Sequence, residues 1–111
     1  LDSLDKAVWV WKRARQLQAT DYVIKNLKSI SDKYLAVGES EGAKKNFAQS
    51  IPWFRKAIDI DSTNAEYWYN MGGAYFMIEK NDSAEICFAK TIVLCFNIRV
   101  IFSKILKDFS I

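Results

Sequence analysis

The chain has 111 residues and a net charge of +3; half of it is apolar, with four glycines and one proline. Such a composition suits one domain of long helices with short connections better than a sheet or a disordered chain. The absence of histidine removes the commonest general base and the commonest transition-metal ligand, so neither an enzyme nor a cofactor-dependent protein is expected. No run approaches the roughly 18 apolar residues of a membrane span; Thr91 to Val100 comes nearest and reads as the buried face of a helix followed by a turn. Leu1 is not an initiator methionine, so an excised domain or a processed product is expected, and the sequence assigns no compartment.

Residues 1–30 read as helix. Leu4, Ala7, Val8, Trp11, Ala14 and Leu17 or Gln18 recur at spacings of three and four, which places them on one apolar face. A second helical stretch, Asp21 to Ile30, carries Tyr22, Ile24, Leu27 and Ile30, and Thr20 or Asp21 is its expected N-cap. One or two helices packing on the open end of the following unit are expected, with one continuous long helix as the alternative.

Beyond residue 30 the chain repeats itself. Trp68, Met71, Gly72, Tyr75, Ala84 and Phe88 form a pattern of large and small residues, and a shift of about 34 positions finds it again. Upstream it falls on Tyr34, Val37, Gly38, Phe47, Ser50, Phe54 and Ala57; downstream it falls on Phe102, Ile105 and Phe109. This spacing resembles the tetratricopeptide repeat (TPR) family, whose first helix carries Trp, Leu, Gly and Tyr and whose second carries Ala and Phe at these offsets. The resemblance covers about two thirds of the chain. It implies an all-α fold of antiparallel helix pairs stacked as a short right-handed α-solenoid. The expected units are 1–30 as an N-terminal helical region, 31–64 and 65–97 as two TPR-like units, and 98–111 as a terminal helix. Within them, helices are expected over Asp32–Lys45, Phe47–Asp59, Ala65–Glu79, Ser83–Leu94 and Ile98–Phe109.

Several positions depart from the family. Glu41, Thr91 and Leu106 replace an aromatic, an alanine and a glycine, and Ser62 and Phe96 stand where the proline after the second helix belongs. Asp61-Ser62-Thr63-Asn64 can close the first inter-unit turn through side chains that bond nearby backbone groups. The turn signal at Phe96-Asn97 is thinner, and a helix running on is the alternative there. Pro52 falls inside a helix, where it lacks the N–H that would bond the Ala48 carbonyl, so a bend is expected.

Gly72-Gly73 lacks a Lys-Ser or Lys-Thr partner and reads as a close-packing site, not a phosphate cradle. Cys87 and Cys95, about 12 Å apart along one helix, cannot bridge each other and are expected to be buried small hydrophobes. Residues 1–60 carry 11 Lys or Arg against 7 Asp or Glu, while residues 61–111 carry 5 against 6. The N-terminal cations Lys12, Arg13, Arg15, Lys25 and Lys28 lie among Trp9, Trp11 and Tyr22, but helical spacing puts most of the aromatics on a packed face. Nucleic-acid binding is therefore not expected.

The resemblance implies that another protein or peptide is held in a concave groove lined by first helices. Its positions fall on Glu66, Tyr69, Asn70, Gly73 and Phe76, with Leu35 and Glu39 on one side and Ser103, Lys104 and Lys107 on the other. Tyr69, Asn70, Gly73, Phe76 and Lys104 are the expected peptide-binding residues, although ordinary inter-repeat packing would also account for Tyr69 and Phe76. Some family members clamp the terminal carboxylate of a chaperone; here Leu35 and Glu39 occupy places where that clamp needs Lys and Asn, so chaperone-tail binding is not expected. The expected function is a non-catalytic protein-interaction module or scaffold. The alternative is an accessory domain of a larger enzyme or signalling protein, and self-association through the C-terminal helix, by Phe102, Ile105 and Phe109, is a further reading.

Overall fold

Thr20 makes the first break in the helical chain. Its backbone is extended and its hydroxyl accepts from the Val23 N–H at 3.3 Å, which satisfies one of the amides a helix start leaves without a partner. The computed structural model describes residues 2–17 and 20–109, as five helices with no strand among the described residues. They are α1 (Asp2–Leu17), α2 (Asp21–Ala43), α3 (Phe47–Ile60), α4 (Ala65–Met77) and α5 (Asn81–Phe109). Each packs on the next in sequence, and α4 also touches α2, so the chain is an all-α helical-repeat solenoid.

The two tight turns are built alike. After α2, the Lys45 N–H donates to the Gly42 carbonyl and the Asn46 N–H to that of Glu41, both at 2.9 Å. After α4, the Glu79 N–H donates to the Phe76 carbonyl at 3.0 Å and the Lys80 N–H to that of Tyr75 at 2.9 Å. Both are Schellman motifs, and their left-handed residues, Lys45 (φ 64°) and Glu79 (φ 62°), are not glycines. The turn between α3 and α4 is held by side chains. Asp61 Oδ1 accepts from the Thr63 N–H (3.0 Å) and hydroxyl (2.6 Å), Asn64 Oδ1 caps α4 through the Glu66 N–H (3.0 Å), and the Trp68 indole N–H donates to the Ser62 carbonyl (2.8 Å). α3 runs on through Pro52, six residues into the helix and exposed to solvent.

One core runs through the stack. Val23, Leu27, Ile30, Tyr34 and Leu35 of α2 meet Ile51, Phe54, Ala57, Ile58 and Ile60 of α3, and Tyr67, Met71, Ala74 and Cys87 continue it into α4 and α5. The glycines show the 34-residue register in space. A Cβ on Gly38 would stand 2.6 Å from the Phe54 ring, and one on Gly72 would stand 2.8 Å from the Phe88 ring, so each first helix approaches its second helix at a residue without a side chain. The apolar stripe of α1, Leu4, Ala7, Val8, Trp11 and Ala14, is half-buried against the same core. Polar ties fasten it across both neighbours: Lys12 pairs with Asp59, the Arg15 guanidinium donates to the Ile60 carbonyl (3.2 Å), and Asp5 accepts from the Tyr34 hydroxyl (2.5 Å) and Lys56 Nζ (3.0 Å).

Four features differ from the sequence expectation. The stretch 21–30 does not end before the repeat; it is the first part of one 23-residue helix, because Ile30, Ser31 and Tyr34 keep the buried spacing unbroken. Its inward face is Val23, Leu27 and Ile30, while Tyr22 and Ile24 point outward. α5 does not turn at Phe96-Asn97 but continues to Phe109, since no glycine, proline or capping side chain interrupts it. Cys87 is buried and Cys95 is exposed: eight residues advance a helix by about 80° beyond two full turns, and α4 is less than half the length of α5. The side chains of Phe102, Ile105 and Phe109, on which the expected packing rests, and residue Gln18 as a whole lie outside what the structure describes.

Candidate protein-binding groove

Small residues on one helix facing large ones on the next open a groove between α2 and α4. Glu39, Gly42 and Ala43 form the α2 wall, and Phe47, Ser50 and Phe54 of α3 lie at its base. Tyr69, Asn70, Gly73, Ala74, Phe76 and Met77 form the α4 wall, and Phe88 of α5 closes one end. The groove has a volume of about 520 Å³ and is open to solvent. Gly42 and Ala43 stand 34 positions before Phe76 and Met77, so the first unit is hollow where the second projects.

Tyr69 and Phe76 are each 60% exposed. The Tyr69 ring lies tilted over Phe88, centroids 5.9 Å apart, so packing within its own unit orients it while its outer face stays open. Gly73 has no heavy atom within 4 Å of the place a Cβ would take, which leaves the α4 backbone approachable from the groove. Glu39 is the one charged residue in the lining.

Four of the residues singled out from the sequence, Tyr69, Asn70, Gly73 and Phe76, line this groove together. Lys104 does not join them. It is exposed, 16 residues beyond Phe88 on the same helix, about 24 Å further along the axis. Ser103 and Lys107 lie on the same distal part of α5, Leu35 is buried in the core, and Glu66 is exposed in the first turn of α4 outside the lining. Phe47, Phe54 and Phe88 were legible only as packing residues; in the structure they also present ring surface to the groove. Met77 and the small pair Gly42-Ala43 carry no motif of their own, and only the comparison of equivalent positions in the two units marks them.

A second set of polar groups is structural in character. Burial drives the Tyr67 hydroxyl to a raised pKa, and its partners are Ser31 Oγ at 2.9 Å and Asp32 Oδ1 at 3.1 Å, to which it donates. This is the polar bond that ties α4 to α2 deep in the stack. The hydrogen bond from Tyr34, followed by that from Lys56, holds the Asp5 carboxyl below the usual aspartate range. Burial raises the Cys87 thiol, which works against a reactive thiolate. Among the described residues no cluster of acidic or cysteine side chains has the makings of a metal site.

Residues 38–78, which hold both long walls of the groove, match the family model described as TPR repeat. Over these residues the chain is similar to a TPR repeat. A further similarity is to Cilia- and flagella-associated protein 70 of Homo sapiens, 30% identical over 59 residues, 53% of this chain. The match spans 5% of that protein's length. TPR repeats serve as protein–protein interaction modules, and no helix among the described residues is long and apolar enough to cross a membrane.

Proposed function

We propose that the groove between α2 and α4 holds an apolar peptide or helical segment of another protein, and that this chain acts as a non-catalytic interaction module. The observation that carries the reading is the pair Tyr69, its ring set over Phe88, and Phe76, both more than half exposed over a concave apolar surface. Aromatic anchors of this kind offer contact area at the cost of two rotors each. Glu39 at the wall favours a ligand that brings a Lys or Arg beside its apolar anchor. We assign no nucleic-acid role to α1, because Lys12 and Arg15 are engaged with Asp59 and the Ile60 carbonyl.

The test is a photo-crosslinker placed at position 76, followed by affinity measurement on the protein it captures. Truncating a central aromatic anchor costs about 2 kcal/mol or more, so Tyr69→Ala with Phe76→Ala should weaken binding by well over tenfold while melting stays within a few degrees. Undiminished affinity in a stably folded double variant would place the binding surface elsewhere.

A second reading, an accessory domain within a larger protein whose chemistry lies outside these 111 residues, is favoured by the small share of the relative that the match covers. It is compatible with the groove as the working surface.

A further inference from the structure

The 34-residue register gives each residue of the α2–α3 pair a counterpart on the α4–α5 pair. Their exposure differs sharply. Leu35 is 9% exposed and its counterpart Tyr69 is 60%; Ile58 is 8% exposed and its counterpart Ile92 is 68%. The first pair is covered by α4, which packs on both of its helices. The same face of the second pair lies open as a hollow of about 430 Å³ lined by Phe76, Ala84, Phe88 and Ile92, with Glu85 as its one ionisable residue. What this face lacks is a helix in the place that α4 takes on the unit before.

The chain contains such a helix in sequence. Ile101, Phe102, Ile105 and Phe109 stand 34 positions after Tyr67, Trp68, Met71 and Tyr75, so residues 98–109 repeat the apolar spacing of α4. That stretch is the distal part of α5 and is continuous with the helix that bears Ile92. A straight helix cannot lie alongside itself. Residues 98–109 therefore cannot reach the open face of their own copy, whereas those of another copy can. Charge agrees: the segment brings Arg99, Lys104 and Lys107 against a single Asp108, toward a hollow whose one charge is Glu85.

We propose that residues 98–109 of one copy dock on the α4–α5 face of a second, and that the exchange is reciprocal, giving a two-fold dimer with swapped helices. The docking face shares Phe76 and Phe88 with the groove, and Ile92, which is not in the groove lining, tells the two readings apart, so either can fail without the other.

Light scattering behind size-exclusion chromatography, run on the 111-residue chain from low micromolar to millimolar concentration, provides the test. The expected result is a dimer mass that gives way to monomer on dilution. Ile92→Asp should raise the dimer dissociation constant at least tenfold; Ile92 is already solvent-exposed in the single copy, so circular dichroism should show the helices retained. A second variant works in the opposite sense. Phe96→Gly with Asn97→Pro removes an N–H and sets the proline ring against the Val93 carbonyl, which breaks α5 and frees residues 98–109 to fold back on their own copy. This variant should be monomeric at concentrations where the parent is dimeric. A parent chain that stays monomeric throughout, or a dimer unaffected by Ile92→Asp or by the helix break, overturns the proposal.

Discussion

Adding one methyl group to each of the four glycines in turn separates the close-packing role from the helix-propensity role. Alanine at Gly38 would put its Cβ 2.6 Å and 2.8 Å from two carbons of the Phe54 ring, and Phe54 is 4% exposed, held on most sides by the core. Overpacking of this sort costs about 1–3 kcal/mol. The gain in helix propensity from Gly to Ala is about 1 kcal/mol, so Gly38→Ala should be a net loss of up to about 2 kcal/mol. At Gly72 the Cβ would meet Phe88 at 2.8 Å and Cys87 Cβ at 3.0 Å, but Phe88 borders open surface and its ring can give way. Gly72→Ala should therefore fall near zero or cost up to about 1 kcal/mol, whereas Gly72→Leu, too large for that adjustment, should cost the full 1–3 kcal/mol. Gly73 meets nothing within 4 Å, and Gly73→Ala should stabilise by about 0.5–1 kcal/mol. Gly42, equally open but in the last turn of α2, should gain less. In a chain of this size 1 kcal/mol moves the melting temperature by about 4 °C, so thermal denaturation followed by circular dichroism resolves the series. Gly38→Ala and Gly73→Ala shifting in the same direction would refute the assigned register of the helix pairs.

Three further outcomes follow from the turns and polar ties. Glu79→Gly should raise the melting temperature by several degrees, since a left-handed residue with a side chain is strained by about 1 kcal/mol; a lowered melting temperature would mean that the side chain contributes more than the backbone loses. Tyr67→Phe should lose about 1 kcal/mol measured by denaturant titration, because it removes the hydroxyl shared by Ser31 and Asp32 while keeping the buried ring; an unchanged midpoint would show that α4 is fixed on α2 by packing alone. The depressed Asp5 carboxyl contributes stability above the usual aspartate pKa and loses it as pH falls through the lowered folded value. Hydrogen-exchange protection factors in α1, corrected for the intrinsic rate at each pH, should therefore fall at acidic pH in the parent and fall less in Asp5→Asn, whose α1 should already be loosened at neutral pH; an α1 equally protected at both pH values would refute the tie.

The repeat was legible because it depends on volumes at fixed offsets, and those survive in one sequence: Gly38 against Phe54 and Gly72 against Phe88 need no partner residue to be recognised. Four groove residues were legible for the same reason, being first-helix positions left over once the packing positions are assigned. What could not be read were the places where a boundary depends on competition between helices. Thr20 as a cap was foreseen, but the continuation of α2 through Ser31-Asp32 rests on Ser31 being buried against Tyr67, a contact 36 residues away. Lys104 was misplaced by an error of the same kind, since a turn was expected at Phe96-Asn97 where the local backbone has no reason to stop. Tyr67 itself escaped notice, standing beside the more conspicuous Trp68 although it is the more deeply buried of the two.

The unbroken run of α5 makes it a spacer with a fixed pitch. Its 29 residues extend about 43 Å, while the 13 residues of α4 beside it extend about 20 Å, so the distal half is a rigid arm whose direction is set by the helix pair at its base. Along such an arm, length and bearing are coupled: inserting a single residue between Cys95 and Asn97 would carry everything beyond it outward by about 1.5 Å and swing it about 100° around the axis, with the groove untouched. Sequence change in that short stretch therefore acts as a rotary adjustment, re-aiming the far end without altering a side chain on it.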